Sequence, residues 1–414
     1  MPRIRPQEFL KAKAINRALL SLLPVCRDLN SARNEFRWMK EHAINVSHRL
    51  GYNDHAILLR SLVYRRAQGE PLQYILESEY FGDLEIKCRP GVLIPRQETA
   101  ASVTFLAQLV SRNSSQADGR GKRLRILDIC TWSELHASSP GAQSAQLHDG
   151  TGSGCIPLLF HHEYYRNERT ANDELRLVGV DISPAALSLS RQNLVHQIAT
   201  QCQSNQGINR MRSLNGIGFV QANVLQDYQD IPPNVIEETD HQPSILQALH
   251  RVNSDDSPPN FDILISNPPY ISAKSFKSTT SRSVRIFEPR LALVPDSFDG
   301  TGDLFYPHLL RIASQVNAKI LLFEVADLDQ AKRVAEMAMK DWRNVELWRD
   351  DPTAKPDGTG TIEINGRWIA VRGSGHGRSV FAYSSESSSS LLSLRTGADI
   401  AIPDADWPDV TPDR

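Results

Sequence analysis

The chain has 414 residues, 40% of them hydrophobic and 23% charged, with a formal net charge of −2. That length suits two or three folded units, and the near-neutral balance supplies no overall electrostatic drive toward nucleic acid or a membrane surface. No apolar run approaches the roughly 18 residues a membrane span needs, and five scattered cysteines without a C-x-x-C pair argue against a disulfide framework and against a zinc site, as in a reducing compartment.

The first stretch, "MPRIRPQEFLKAKAINRALLSLL", is rich in Arg and Lys with Glu8 as its single acid. It fits a mitochondrial presequence or an ordinary amphipathic first helix. Residues 6–66 read as helices: Leu10, Ile15, Leu19 and Leu22 recur at helical spacing, as do Phe36, Met39 and Ala43. Asn30 and Ser31 are candidate caps for a second helix. Asp54 is one for a third, which carries Ile57, Leu58 and Leu62. Residues 1–68 are therefore expected to form a small helical domain, with 69–99 linking it to a catalytic domain over 100–383.

From Gly91 short apolar runs alternate with helix-length segments: "RLRILDIC" (123–130), "LRLVGVD" (175–181), "IGFVQANV" (217–224), "FDILISN" (261–267) and "KILLFEV" (319–325). Two later runs are "NVELWRD" (344–350) and "GRSVFAY" (377–383). This texture predicts a doubly wound, Rossmann-like α/β sheet, mostly parallel and covered on both faces, with its ligand beyond the C-terminal ends of the strands. Polar segments at 132–150 and 231–260 interrupt the alternation. The Ser-rich, Pro/Asp-rich stretch over 384–414 reads as a disordered tail.

The chemistry gathers at the strand ends. The first strand closes on Asp128, and "GTGSG" (150–154) opens the next helical run, where glycines let backbone approach a ligand and helix N–H groups face it. The second strand ends in Asp181, an acid placed to bind ribose hydroxyls. Ser183 and Pro184 then start a helix as cap and first residue. The third strand is expected to end in Asn223, within reach of an adenine edge if the ligand is a nucleoside. The fourth delivers Asn267-Pro268-Pro269-Tyr270. An Asn side-chain oxygen and a proline carbonyl are both acceptors. They suit the two N–H bonds of a planar amide or amine while the tyrosine packs on its plane. Such a nitrogen is a poor nucleophile, so fixing it in line with an electrophilic methyl group supplies orientation. A sulfonium methyl fits, which makes S-adenosyl-L-methionine the expected cofactor. No metal is expected.

These motifs in this order resemble the HemK/PrmC family, whose members methylate the glutamine side-chain amide in the Gly-Gly-Gln loop of peptide-chain release factors. "GEPLQYILESEYFGDLEIKCRPGVLIPRQET" (69–99) is similar to that family's linking segment, "VDISPAALSLSRQN" to its cofactor-ribose segment, and "FEPRLAL" with "GTGDLFYPHLL" to the element after N-P-P-Y. "LLFEV" (321–325) is similar to its fifth strand. The resemblance implies that Asp128, Gly150, Thr151, Gly152, Ser153, Gly154, Asp181, Ile182, Asn223, Val224 and Asn267 hold the cofactor. It implies that Asn267, Pro268, Pro269 and Tyr270 hold the glutamine, with Arg96 and Glu288 supporting the pocket or forming a structural ion pair. The implied partner is a release factor, with no membrane and no direct nucleic-acid contact. The expected compartment is the mitochondrion, otherwise the cytoplasm.

One departure bears on the site: Trp132 to Thr151 separate Cys130-Thr131 from Gly152-Ser153-Gly154. Removing them restores "ILDICTGSGCIPLLF". The segment reads as a translated intron or gene-model error, with a genuine surface loop as the alternative. Two other readings of the whole remain open: an adenine methyltransferase acting on nucleic acid, and a catalytically silent binding protein on the same fold.

Overall fold

The computed structural model describes residues 4–51, 54–112, 121–130, 152–203, 213–226, 243–252, 258–295, 300–384 and 391–392. The interruption at 132–151, most of 231–260 and nearly all of the tail therefore lie outside the described residues.

Five helices come first: α1 (Pro6–Ile15), α2 (Arg17–Cys26), α3 (Leu29–Arg49), α4 (Ala56–Ala67) and α5 (Leu72–Leu76). The apolar rhythm from Leu10 to Leu22 does not form one helix. Asn16 adopts extended backbone, and its side chain accepts the Ala18 N–H, starting α2. Leu10 and Ile15 are consequently exposed, while Leu19, Leu22, Met39, Ala43 and Leu62 share a core. The cap of α3 is Asp28, which accepts the Ser31 N–H at 2.8 Å, rather than Asn30 or Ser31. The residue at the cap of α4 is His55, whose side chain makes no capping bond, rather than Asp54, which stands one place earlier and accepts the Ala56 N–H at 2.7 Å.

A hairpin follows, β1 (Ser78–Phe81) paired with β2 (Leu84–Lys87), and then α6 (Gln97–Ser111). The remaining elements build the sheet and its covers: β3 (Arg123–Ile129), α7 (Cys155–Tyr164), β4 (Glu174–Asp181), α8 (Pro184–Gln203), β5 (Ile217–Gln221), α9 (Ile245–Val252) and β6 (Ile263–Ser266). After them come α10 (Ala273–Ser278), α11 (Arg282–Phe287), α12 (Phe305–Gln315), β7 (Ile320–Glu324), α13 (Leu328–Ala338) and β8 (Asn344–Asp351). The last strands are β9 (Thr361–Ile364), β10 (Arg367–Arg372) and β11 (Ser374–Tyr383).

The sheet order is β5-β4-β3-β6-β7-β11-β8-β10-β9. The first five of these run parallel, and β11 enters antiparallel between β7 and β8. The sheet is thus Rossmann-like and mixed. The β9–β10 hairpin was legible in "INGRW", because Asn365 (φ 51°) and Gly366 (φ 77°) form the two-residue turn that joins such strands.

Strand side chains alternate between two cores. Leu127, Ile129, Val178, Val180, Leu264, Leu321 and Phe323 face α9, α12 and α13. Leu124, Ile126, Leu175, Leu177, Ile263, Ile265, Ile320 and Leu322 face α6 and α7. Trp348 is fully buried in the second core, stacked on Phe381 at 4.5 Å and edge-on to Phe105 at 4.9 Å. Trp348→Ala leaves a cavity between α6 and the sheet and lowers unfolding free energy by about 3–5 kcal/mol, measured by urea titration.

Candidate functional site

The order β4-β3-β6 places the topological switch at β3: the chain leaves it toward β4 and later returns on its other side as β6. Ligands of open α/β sheets lie at this crevice, beyond the strand ends. Asp128 and Ile129 pair with Ile265 and Ser266, so the residues just after β3 and the Asn267 corner stand side by side. The Ser266 hydroxyl donates to the Ile129 carbonyl at 2.6 Å and fastens the two ends together.

On the β4 side, the Gly152 N–H donates to Asp181 Oδ2 at 2.9 Å and the Ser183 N–H to Asp181 Oδ1 at 2.7 Å. Gly154 adopts φ +73° just before α7, and a Cβ there would meet Phe219 and Ser190 at 2.9 Å, so glycine is required. Ser183 accepts the Ala186 N–H and caps α8, with Pro184 as its first residue. Asn193 on α8 donates to the Ser153 carbonyl at 2.9 Å and accepts the Lys87 N–H at 2.7 Å, joining the glycine turn to the linking hairpin.

Asp128 is buried. Its Oδ2 accepts the Cys130 thiol at 3.4 Å, and its Oδ1 has no hydrogen-bond partner among the described residues. Burial, opposed by the Cys130 thiol and reinforced by the Asp181 charge, pushes the Asp128 carboxyl up to about 7. A buried carboxylate with one oxygen unpaired is costly, and it suits a cationic or N–H-bearing ligand.

On the β6 side, Tyr270 turns its hydroxyl onto Glu324 Oε1 at 2.9 Å rather than leaving it in the crevice. Thr99 donates to Glu324 Oε2 at 2.5 Å, and Asn267 Nδ2 donates to the Thr99 hydroxyl at 3.4 Å. Burial raises the Glu324 pKa against the opposing hydrogen bonds from Thr99 and Tyr270 and the charge of Arg378. Gly302, at φ +84°, lies so close to the Tyr270 carbonyl that any Cβ would collide with it. Gln330 donates to that same carbonyl at 3.2 Å. Glu324, Thr99, Gly302 and Gln330 escaped the sequence reading as site residues. Thr99, Gly302 and Glu324 lie in the family-like segments, but only folding shows that they meet at one corner.

Arg96 and Glu288 pair with each other, Arg96 Nη2 donating to both carboxylate oxygens at 2.9 and 2.8 Å. Glu288 also accepts the Ile94 N–H at 3.3 Å, so the pair holds the linking segment against the element after α11. Asn223 lies two residues beyond β5, and its Oδ1 accepts the Leu225 N–H at 2.9 Å. Ile182 and Val224 are buried, as are Pro268 and Pro269. Gly150 and Thr151 lie outside the described residues. Elsewhere, Asp83, His162 and Glu163 each offer one ligand atom within a 4.8 Å cluster. Arg166 Nη1 already bridges the Asp83 and Glu163 carboxylates at 2.6 and 2.9 Å.

Among known proteins, residues 176–319 match the family model described as Eco57I restriction-modification methylase. Over 349 residues the chain is 31% identical to the Saccharomyces cerevisiae mitochondrial MRF1 N(5)-glutamine methyltransferase MTQ1, covering 84% of this chain and 83% of that protein. It is 26% identical over 294 residues to the Haemophilus influenzae release factor glutamine methyltransferase, covering 70% of this chain and 76% of that one. Among solved structures, the N-terminal domain of human METTL16 in complex with SAH matches at 12% identity and a TM-score of 0.36, with 77% of this chain and 82% of that chain covered. A score that low carries no argument about the site.

Two expectations follow from the geometry. The Asp128 carboxyl ionises near 7 in the fold against an ordinary value of 3.8, so between those limits the unfolded chain holds fewer protons there. The group's contribution to stability therefore falls as pH rises through that window, and its cost is complete above it. Ligand-free Asp128→Asn should melt a few degrees higher than the unaltered chain at pH 8 and gain less at pH 5; an equal gain at both would contradict this assignment. Secondly, a Cβ built on Gly152 lies 3.1 Å from the Cβ of Cys130, so Thr131 alone can span the two. Deleting residues 132–151 should not lower unfolding free energy, and the shorter loop closure should raise it by up to about 3 kcal/mol in urea titration.

Proposed function

This chain belongs to the family of release factor N(5)-glutamine methyltransferases, and on that premise we propose that it methylates the Gly-Gly-Gln glutamine of a mitochondrial peptide-chain release factor. The activity is transfer of a methyl group to the nitrogen of a glutamine side-chain amide, and the cofactor is S-adenosyl-L-methionine. When bound, that cofactor supplies an electrophilic methyl on a sulfonium cation. The observation that carries the site reading is the adjacency of two unlike features across β3 and β6: a buried carboxylate with an open acceptor, and the Asn-Pro-Pro-Tyr corner.

The residues of this chain fit both ligands. Asp128 offers an acceptor that a cofactor amine or cation would satisfy. Asp181, which orders the turn at Gly152 and the start of α8, is the acid for ribose hydroxyls. Ile182, Val224 and Asn223 would border the adenine, and Gly152, Ser153 and Gly154 let backbone approach the methionine part. On the other wall, Asn267 Oδ1 and the Pro268 carbonyl would accept the two N–H bonds of the glutamine amide, with Pro269 and Tyr270 shaping the slot. Two acceptors fix the amide plane, which turns the nitrogen's weak lone pair toward one direction. The same acceptors would stabilise the positive charge that develops on nitrogen as the N–CH3 bond forms and the sulfonium S–CH3 bond breaks to leave a neutral thioether. The nitrogen would then give up one N–H proton to water. Arg96 and Glu288 would act by holding the linking segment in place.

A groove of about 1280 Å³ supports a macromolecular partner. It runs between α3, the hairpin and α8, with Trp38, His42, Arg65, Arg89 and His196 among its walls. The yeast relative's name supports the mitochondrial assignment.

The test is methyl transfer from labelled cofactor to a purified mitochondrial release factor, read by peptide mass spectrometry. One methyl should appear on the loop glutamine, and none on a factor whose glutamine is changed to alanine. Asn267→Ala should lower kcat at least 100-fold, on the order of one lost oxyanion-type contact, with unchanged circular dichroism. Transfer to any other residue would sink the substrate assignment.

A further inference from the structure

The corner that would hold the substrate is itself held by a residue outside it. Glu324 is the last residue of β7. Its buried carboxylate receives two hydroxyls, Tyr270 on Oε1 at 2.9 Å and Thr99 on Oε2 at 2.5 Å. A hydroxyl carries one proton. With that proton committed to Glu324, Thr99 meets any further neighbour only as an acceptor. The neighbour is Asn267, whose Nδ2 donates to Thr99 Oγ1 at 3.4 Å. The carboxylate therefore dictates which half of the Asn267 amide points at α6. Oδ1, on the opposite branch of the same planar group, is turned away from Thr99, and among the described residues no hydrogen bond engages it.

We infer that Glu324 is a positioning residue for methyl transfer: through the Thr99 hydroxyl it orients the Asn267 amide with its oxygen toward the substrate, and through Tyr270 it fixes the far end of the same corner. The inference rests on the proposed glutamine reading, in which that oxygen accepts an N–H of the substrate amide. Reversed, Asn267 would present an NH2 group to the substrate's NH2 group, donor against donor. Then a buried donor on each side goes unpaired, and the amide loses its orientation. Two further contacts stiffen the support. The Glu324 carbonyl accepts the Tyr306 hydroxyl at 2.8 Å, and Ser379 pairs with Glu324 in the neighbouring strand.

The relay has a signature that simple packing lacks. In Glu324→Gln the new amide can still accept the Tyr270 hydroxyl, while its NH2 donates to Thr99. The Thr99 proton is then released to donate to Asn267, which draws Oδ1 inward and turns Nδ2 to the substrate. Glu324→Gln should therefore lower kcat about 100-fold, with KM for the release factor and the cofactor Kd from calorimetry unchanged within about threefold. Thr99→Val removes the hydroxyl and leaves Asn267 free to choose either orientation, so its kcat should fall only about tenfold. Combining the two should restore activity from the Glu324→Gln level toward the Thr99→Val level, because no hydroxyl remains to reverse Asn267. Thermal melts of all three identify any variant that fails to fold. In that event Glu324→Asp and Thr99→Ser, which keep carboxylate and hydroxyl, should be folded and retain more activity than their partners.

Partial rescue in the double variant supports the relay. Losses that multiply in the double variant, or a Glu324→Gln enzyme within threefold of the unaltered one, would overturn it while leaving the substrate assignment intact. Absence of transfer by the unaltered chain would overturn the substrate assignment and this inference together.

Discussion

The change of direction at β3 is the constraint on which the site depends. A parallel strand pair needs a crossover, and crossovers of right-twisted strands are right-handed. Moving from β3 to β4 and β5 puts α7 and α8 on one face of the sheet. Returning past β3 to β6 and β7 puts α9, α12 and α13 on the other. The two runs of connections diverge above β3 and β6, and the crevice between them is left without a helix of its own. Whatever residues end those strands face one another there. Asp128 and Asn267 are neighbours for that reason, although the chain between them includes three crossovers.

Two of the buried carboxylates on the α6–α7 face, Asp128 and Glu324, illustrate opposite uses of the same chemistry. Parity along β3 and β7 puts Asp128 and Glu324 on the face that carries Ile126 and Leu322. Both lie in low dielectric, and burial raises both. Glu324 is satisfied by two hydroxyls within the protein, and so becomes rigid support. Asp128 is left with an oxygen open, and so destabilises the ligand-free fold in a way a cationic ligand can relieve. Stability given up at one acid and recovered on binding is how a preorganised site differs from an optimised core.

The linking hairpin is held in this arrangement by side chains that grip backbone groups and, further along, by an ion pair. Asn193 holds the Lys87 backbone and the Ser153 carbonyl together, and Gln197 donates to the Glu85 carbonyl at 2.8 Å. Arg89 donates to the Ala185 carbonyl at the start of α8. Further along, the Arg96–Glu288 pair and the Ser283 hydroxyl on the Gly69 carbonyl close the segment onto α11. The linking segment is therefore fastened to both walls of the crevice. Displacement of the hairpin would be felt at the glycine turn.

The sequence by itself determined the strands that carry the site, because near-continuous apolar runs have few alternatives to a doubly covered sheet. It also marked Asp128, Asp181 and the Asn-Pro-Pro-Tyr corner, since acids, glycines and prolines at strand ends are local signals. It could not give the antiparallel entry of β11 between β7 and β8, which depends on pairing across long chain separations. Nor could it mark Glu324 and Thr99. Each reads as an ordinary polar residue within its own element, and α6 and β7 lie far apart along the chain. Only tertiary packing brings a threonine from one, a glutamate from the other and the asparagine just after β6 within hydrogen-bonding reach. Hydrogen-bond direction, and with it the orientation of a planar amide, is a property of that meeting and of no single segment.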